Sequence, residues 1–178
     1  QQNLPVTPIT DIKIFRGDLI LSTMGRGFWI LDNITSLRDD AMPNLSVGPY
    51  LFKPDATIRY RYPKVRSNGS FPKYPRTTVH IDYYLSEAAK GLKLEILDSK
   101  KASIVTILSD STLVKTSVSE KEDMNLSATF RYVNTKLETK KGLNRFEWDL
   151  KEKGPWHKEE KKRYTNGPLV PPGRYTVK

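Results

Sequence analysis

Two carboxylates head the short list of side chains whose type and spacing suit chemistry. Glu147 and Asp149 lie two apart in Asn144-Arg-Phe-Glu-Trp-Asp-Leu150. That stretch alternates like a strand, so both would point to one face about 7 Å apart. A pair at roughly that separation suits an inverting glycosidase, with one carboxyl protonating the leaving group and the other activating water. The plainer reading is a solvated strand face opposite Phe146 and Trp148, with no cleft to split the two pKa values. His80 and His157 are the only histidines, and neither has a second His or Cys at metal-ligand spacing. His80 is expected on an exposed face beside Asp82. Gly25-Arg-Gly27 reads as a turn rather than a phosphate cradle, and the chain carries no nucleophile elbow or phosphate loop. No residue is therefore assigned a catalytic, cofactor-binding or metal-binding role.

Two sets of aromatic residues are candidate ligand contacts. Arg59-Tyr-Arg-Tyr-Pro-Lys-Val-Arg66 interleaves basic and aromatic residues, as single-stranded nucleic-acid binders do when bases stack on tyrosine. Alternation along a strand gives the same pattern, with Tyr60 and Tyr62 packed and the arginines solvated, and that reading is preferred; no nucleic-acid partner is assigned. Trp156 and Tyr164 sit in the long polar stretch from Lys151 to Gly167. Exposed aromatics of this kind stack on sugars, which makes them the best carbohydrate contact in the chain. The preferred reading is that they cover the end of a sandwich.

The elements that would position these residues are strands. Asp11–Phe15 alternates, Arg16-Gly-Asp18 is a tight-turn signal, Leu19–Thr23 follows, Met24–Gly27 turns again, and Phe28–Leu31 completes a three-stranded antiparallel meander. Thr35–Asp40 suits one helical turn capped by Asn33 or Thr35. Tyr50-Leu-Phe-Lys-Pro54 should dock on a sheet, and Ala56–Tyr62 alternates. From Thr77 the pattern is that of a sandwich. Val79, Ile81 and Tyr83 alternate with His80, Asp82 and Tyr84. Leu92, Leu94 and Ile96 face one way and Lys93 and Glu95 the other, and Ile104–Leu108 follows. Residues 110–141 are polar and weakly periodic and read as an insertion, with a strand near 128–133 and some helix around 119–127. Phe146, Trp148 and Leu150 should point inward. Pro171-Pro-Gly173 leads into Arg174–Lys178, a strand expected to be unfinished at the last residue.

Composition sets the outer bounds. With 178 residues, 12 prolines and 10 glycines, the chain suits one all-β domain plus part of another. The absence of cysteine excludes disulfides and thiolate chemistry. No run approaches the ~20 apolar residues of a membrane helix. The net charge of +10 is scattered, and Lys158-Glu-Glu-Lys-Lys-Arg163 mixes signs, so solvated surface is preferred over an anion-binding footprint. Asn33, Asn44, Asn68 and Asn125 each open an Asn-x-Ser/Thr sequence, which could carry a glycan in a eukaryotic secretory protein.

Two blocks together resemble a bacterial family of exported sortilin-like or sialidase-like β-propellers with neuraminidase-type repeats, described as glycosyl-hydrolase-like. The first is Ile9-Thr-Asp-Ile12 followed by Thr23-Met-Gly-Arg-Gly-Phe-Trp-Ile-Leu-Asp32, similar to the family's closing blade, with Asn33 where a second Asp is usual. Leu51-Phe-Lys-Pro54 is similar to its docking segment. The second block comprises Ile96–Asp98, Gly142–Leu150 and Pro171–Val177, and is similar to an immunoglobulin-like module of flagellar hook-capping type. Lys100-Lys101 stands where a glycine is usual, and residues 110–141 have no counterpart. The resemblance carries over no catalytic arginine cluster or nucleophilic tyrosine.

The expected architecture is an all-β chain. A partial last propeller blade spans 1–40, a docking linker 41–75, and an immunoglobulin-like β-sandwich 76–178, truncated in its last strand and interrupted at about 110–141. The resemblance implies a non-catalytic accessory module, an extracytoplasmic parent, and the rest of the propeller as first partner, with carbohydrate or protein as further ones. Residues 10–31 are expected to pack on the sandwich or on another copy of the chain.

Overall fold

The computed structural model describes residues 4–39, 48–59, 77–109, 136–152 and 167–178. It is all-β. The chain divides into two units, Gln1–Ser46 and Val47–Lys178.

The first unit is a three-stranded antiparallel sheet of β1 (Ile9–Phe15), β2 (Asp18–Thr23) and β3 (Phe28–Leu31), in the order β1-β2-β3. Its turns follow from residue chemistry. Arg16 and Gly17 both take positive φ, 51° and 88°. That is the two-residue turn whose twist matches the flanking strands. Thr23 closes the second turn: its amide and its Oγ1 both donate to the Gly27 carbonyl, at 3.2 and 2.7 Å. The end of β3 is tied back to the first turn, with the Asn33 amide donating to Asp18 Oδ1 at 2.9 Å and the Ile34 amide to the Gly17 carbonyl at 2.7 Å. A single 3-10 turn, Thr35–Arg38, follows. Asn33 Oδ1 accepts from the Thr35 amide at 3.0 Å.

The second unit holds two further three-stranded sheets. One runs β4 (Tyr50–Leu51), β5 (Val79–Leu85), β8 (Gly142–Trp148); the other runs β7 (Ser103–Leu108), β6 (Lys93–Leu97), β9 (Thr176–Val177). All pairings are antiparallel. Alternation supplies one apolar face per sheet. Ile81, Tyr83, Leu85, Phe146 and Trp148 from the first meet Leu94 and Ile96 from the second in one buried core, with Ile81 and Ile96 at 0% exposure. Asn144 is the polar member of that face, and its Nδ2 is satisfied by the Lys140 and Gly142 carbonyls at 2.7 and 2.9 Å. The Asp98 turn joins β6 to β7. Asp98 Oδ1 accepts from the Lys100 and Ala102 amides, both at 2.8 Å, while Lys101 takes φ of 64° itself. Those two bonds offset the ~1–2 kcal/mol cost of a left-handed non-glycine residue.

Four local readings change. Tyr50–Leu51 is a paired strand of the sandwich rather than only a docking segment. Residues 56–59 are outside any strand, and Ile58 is 78% exposed. Alternation alone gave that segment no ladder partner. Residues 136–141, the tail of the polar stretch, belong to the body of the sandwich, since Leu137 is buried in the core and Glu138 supplies a carbonyl to Tyr83. The strand around Phe146 ends at Trp148, because Leu150 turns the backbone to φ of 60°. Leu150 is buried nonetheless. The strand and helix expected within 119–133 lie outside the described residues.

Candidate functional site

Glu147 is in β8, opposite His80, and Asp149 is the first residue past the strand's end. Both are half-buried and alternate with the buried Phe146, Trp148 and Leu150. Asp149 Oδ1 accepts from the Lys151 amide at 3.2 Å, and Oδ2 lies 3.6 Å from Lys151 Nζ. Asp149 is thus engaged in the bend that follows β8.

The polar face of β5 and β8 is more closely built than alternation suggests. Asp82 was expected on an exposed face and is instead 6% exposed. Its register partner is Arg145, whose Nε reaches Oδ1 at 2.6 Å and whose Nη2 reaches Oδ2 at 2.8 Å. This is a bidentate, charge-assisted pair, the strong geometry for Arg and carboxylate. His80 lies opposite Glu147 in the next register position of that face and is half-buried. Phe52 follows β4, donates its amide to the Asp82 carbonyl at 3.0 Å, and is 3% exposed without belonging to the main core. Burying a carboxylate here depends on the guanidinium that neutralises it. Cross-strand charge pairing was the only signal that could have revealed this site, and it becomes visible only once the register is known.

On the core side, Tyr83 donates its hydroxyl to the Glu138 carbonyl at 2.6 Å. Burial pushes its pKa up to about 12, against the lowering effect of that bond. Glu138's own carboxyl is held below the ordinary range, chiefly by a hydrogen bond from Lys136 and also by Lys140. Trp148 donates Nε1 to the Lys151 carbonyl at 3.0 Å and meets Tyr175 edge to face, with ring centroids 5.7 Å apart.

Beyond Leu150 the chain forms a short paired neck. Lys151 bridges Leu169, the Val170 amide donates to the Leu150 carbonyl at 2.8 Å, and the Glu152 amide donates to the Pro168 carbonyl at 2.9 Å. Trp156 and Tyr164, the candidate carbohydrate contacts, lie outside the described residues, as does His157. Arg59, read as solvated, donates Nη1 to the Val170 carbonyl at 2.7 Å. Tyr60 and Tyr62 are outside the described residues. No group of three His, Cys, Asp or Glu side chains that could hold a metal occurs among the described residues. Among those residues no helix is long and apolar enough to cross a membrane.

The first unit presents a different kind of surface. Register places Ile12 opposite Leu21 and Leu21 opposite Trp29, and Ile14 opposite Leu19 and Leu19 opposite Leu31. Six apolar side chains therefore share one face of a three-stranded sheet. None of the six is buried, and Ile12 and Ile14 are 62% and 52% exposed.

No family model, curated protein or solved structure matches the chain.

Proposed function

We propose that the chain is a non-catalytic C-terminal accessory module of a larger exported, glycosyl-hydrolase-like β-propeller protein. In this reading the meander is the closing part of the last blade and the sandwich is an immunoglobulin-like module that supports packing and protein contacts. The observation that carries it is the six-residue apolar face of β1–β3, on which none of the six side chains is buried, in a three-stranded sheet of the kind that needs cover for stability. In a propeller the neighbouring blade provides that cover. The sandwich, by contrast, closes a core of its own. The segments that carry the resemblance also fall on elements: Phe28–Leu31 is β3, Leu51 is in β4, Gly142–Trp148 is β8, and Thr176–Val177 is β9. The test is hydrogen exchange at Leu19–Thr23 in this chain and in the full-length parent. Protection should rise by about tenfold or more in the parent, where the face is covered. Equal protection, or an upstream reading frame without repeated blades, refutes the proposal.

A further inference from the structure

We infer that β1 is a seam through which two copies of this chain join edge to edge, antiparallel, about a two-fold axis at Ile12. This goes beyond the reading above and does not rest on it, since it uses the edge of the meander rather than its apolar face.

β1 is the outer strand in the order β1-β2-β3, seven residues long, and every one of them is exposed. A long exposed edge is a template for a further strand unless something blocks it. The backbone facing outward can be identified. A two-residue turn of the Arg16-Gly17 kind makes Phe15 and Asp18 a hydrogen-bonded pair, so in antiparallel alternation Lys13 and Asp11 also bond β2. Ile12 and Ile14 then turn their amide and carbonyl groups away from β2. The Ile12 amide is met instead by Asp11 Oδ1 at 2.8 Å, as an edge amide without a ladder partner would be.

The side chains select the partner. In an antiparallel pair centred on Ile12, Ile12 meets Ile12 of the second copy, and Asp11 of each copy meets Lys13 of the other. Both ion pairs lie directly cross-strand, where opposite charges stabilise and like charges destabilise. Lys13 makes no ion pair with a described residue, so it is available for this one. On joining, Asp11 releases the Ile12 amide to the facing Ile12 carbonyl and turns to Lys13. The bulge in β1 lies between Ile9 and Asp11 and leaves Asp11–Phe15 in regular register. The other edge, β3, has four residues and no charge to set a register. The joined sheet would have six strands with its apolar face continuous across the seam.

The test is sedimentation of the full chain over a wide concentration range, with two variants. The unsubstituted chain should dimerise. Lys13→Asp, which sets carboxylate against carboxylate twice, should raise the dissociation constant about tenfold, and the charge swap Asp11→Lys with Lys13→Asp should restore it. A second measurement does not depend on these charges. The chain has no cysteine, so Ile12→Cys places one thiol of each copy at a cross-strand separation of about 5.5 Å, within disulfide range. It should cross-link on mild oxidation, whereas Phe28→Cys on the far edge should not. A chain that stays monomeric, a dimer indifferent to Lys13→Asp, failure of the swap to restore association, or equal cross-linking at residues 12 and 28 would each overturn the seam.

Discussion

Removing the Arg145 guanidinium tests whether the polar face of β5 and β8 is a stability element. Arg145→Met keeps the length of the stem and deletes the two charge-assisted bonds to Asp82 at 2.6 and 2.8 Å. Each such bond contributes roughly 1.5–3 kcal/mol net when a partner is charged, and breaking a buried pair costs roughly 3–5 kcal/mol because a charge is left uncompensated. Asp82's side chain is 7% exposed but Arg145's is 23%, so water can reach the vacated site and the lower end applies: about 3 kcal/mol. In a unit of this size that is about 10 °C in Tm. Asp82→Asn should cost about 2 kcal/mol, and the double variant should cost clearly less than the sum, with a coupling of about 2 kcal/mol. Urea unfolding followed by circular dichroism reads all four states. If Arg145→Met changes stability by less than about 0.5 kcal/mol, or if the two effects add, the pair behaves as an ordinary surface bridge and the reasoning fails.

Tyr83 makes a prediction about alkaline pH. Its folded pKa, about 12, lies above its unfolded value near 10, so its contribution is complete below pH 10 and is lost as pH rises from 10 to 12. The loss should be about 2–3 kcal/mol. Tyr83→Phe should flatten the stability profile in that window, and an unchanged slope would contradict the assignment. Ile96→Ala empties a side chain at 0% exposure and should cost about 4 kcal/mol in urea unfolding, whereas Ile12→Ala, at 62% exposure, should stay within about 0.5 kcal/mol. Gly17→Val puts a branched side chain at φ of 88° and should raise exchange at β2 amides by about tenfold, through a strain of about 1–2 kcal/mol. If Trp156 and Tyr164 contact carbohydrate, glycan-array binding by the chain should vanish in Trp156→Ala; binding that survives assigns the contact elsewhere.

How much could be read in advance depended on how local the signal was. The meander was legible because Arg16-Gly17 and the Gly25/Gly27 turn dictate it within a few residues, and Phe28–Leu31 has the bounds its residues suggest. β6 was equally plain, since Leu94 and Ile96 alternate with charged neighbours. Asp82 was misplaced because strand alternation puts it opposite Ile81 and Tyr83, which reads as solvent. Its actual partner is 63 residues away, and only the β5–β8 register brings the two together. Leu137 was hidden by its composition, a single apolar residue in a polar run, although it seals the core near Tyr83. The inward set Phe146, Trp148 and Leu150 was legible from alternation, and all three are buried; the strand's end at Trp148 was not, because the positive φ at Leu150 has no signal in a non-glycine residue.

The two units differ in how far their apolar side chains are buried. In the sandwich, Asp82 is buried against the Arg145 that neutralises it, while the more exposed Asp149 engages Lys151 and Glu138 engages Lys136 and Lys140. In the meander the hydrogen bonds from Asn33 and Ile34 to Asp18 and Gly17, and from Thr23 to Gly27, fasten the turns, and none of the six apolar side chains of the face is fully buried. Turn chemistry can set the strand register, but it buries little of the area that would stabilise three strands in water. The meander's register is specified by its own turns, while all six apolar side chains from Ile12 to Leu31 keep some exposure; that face is the one the proposed neighbouring blade would cover.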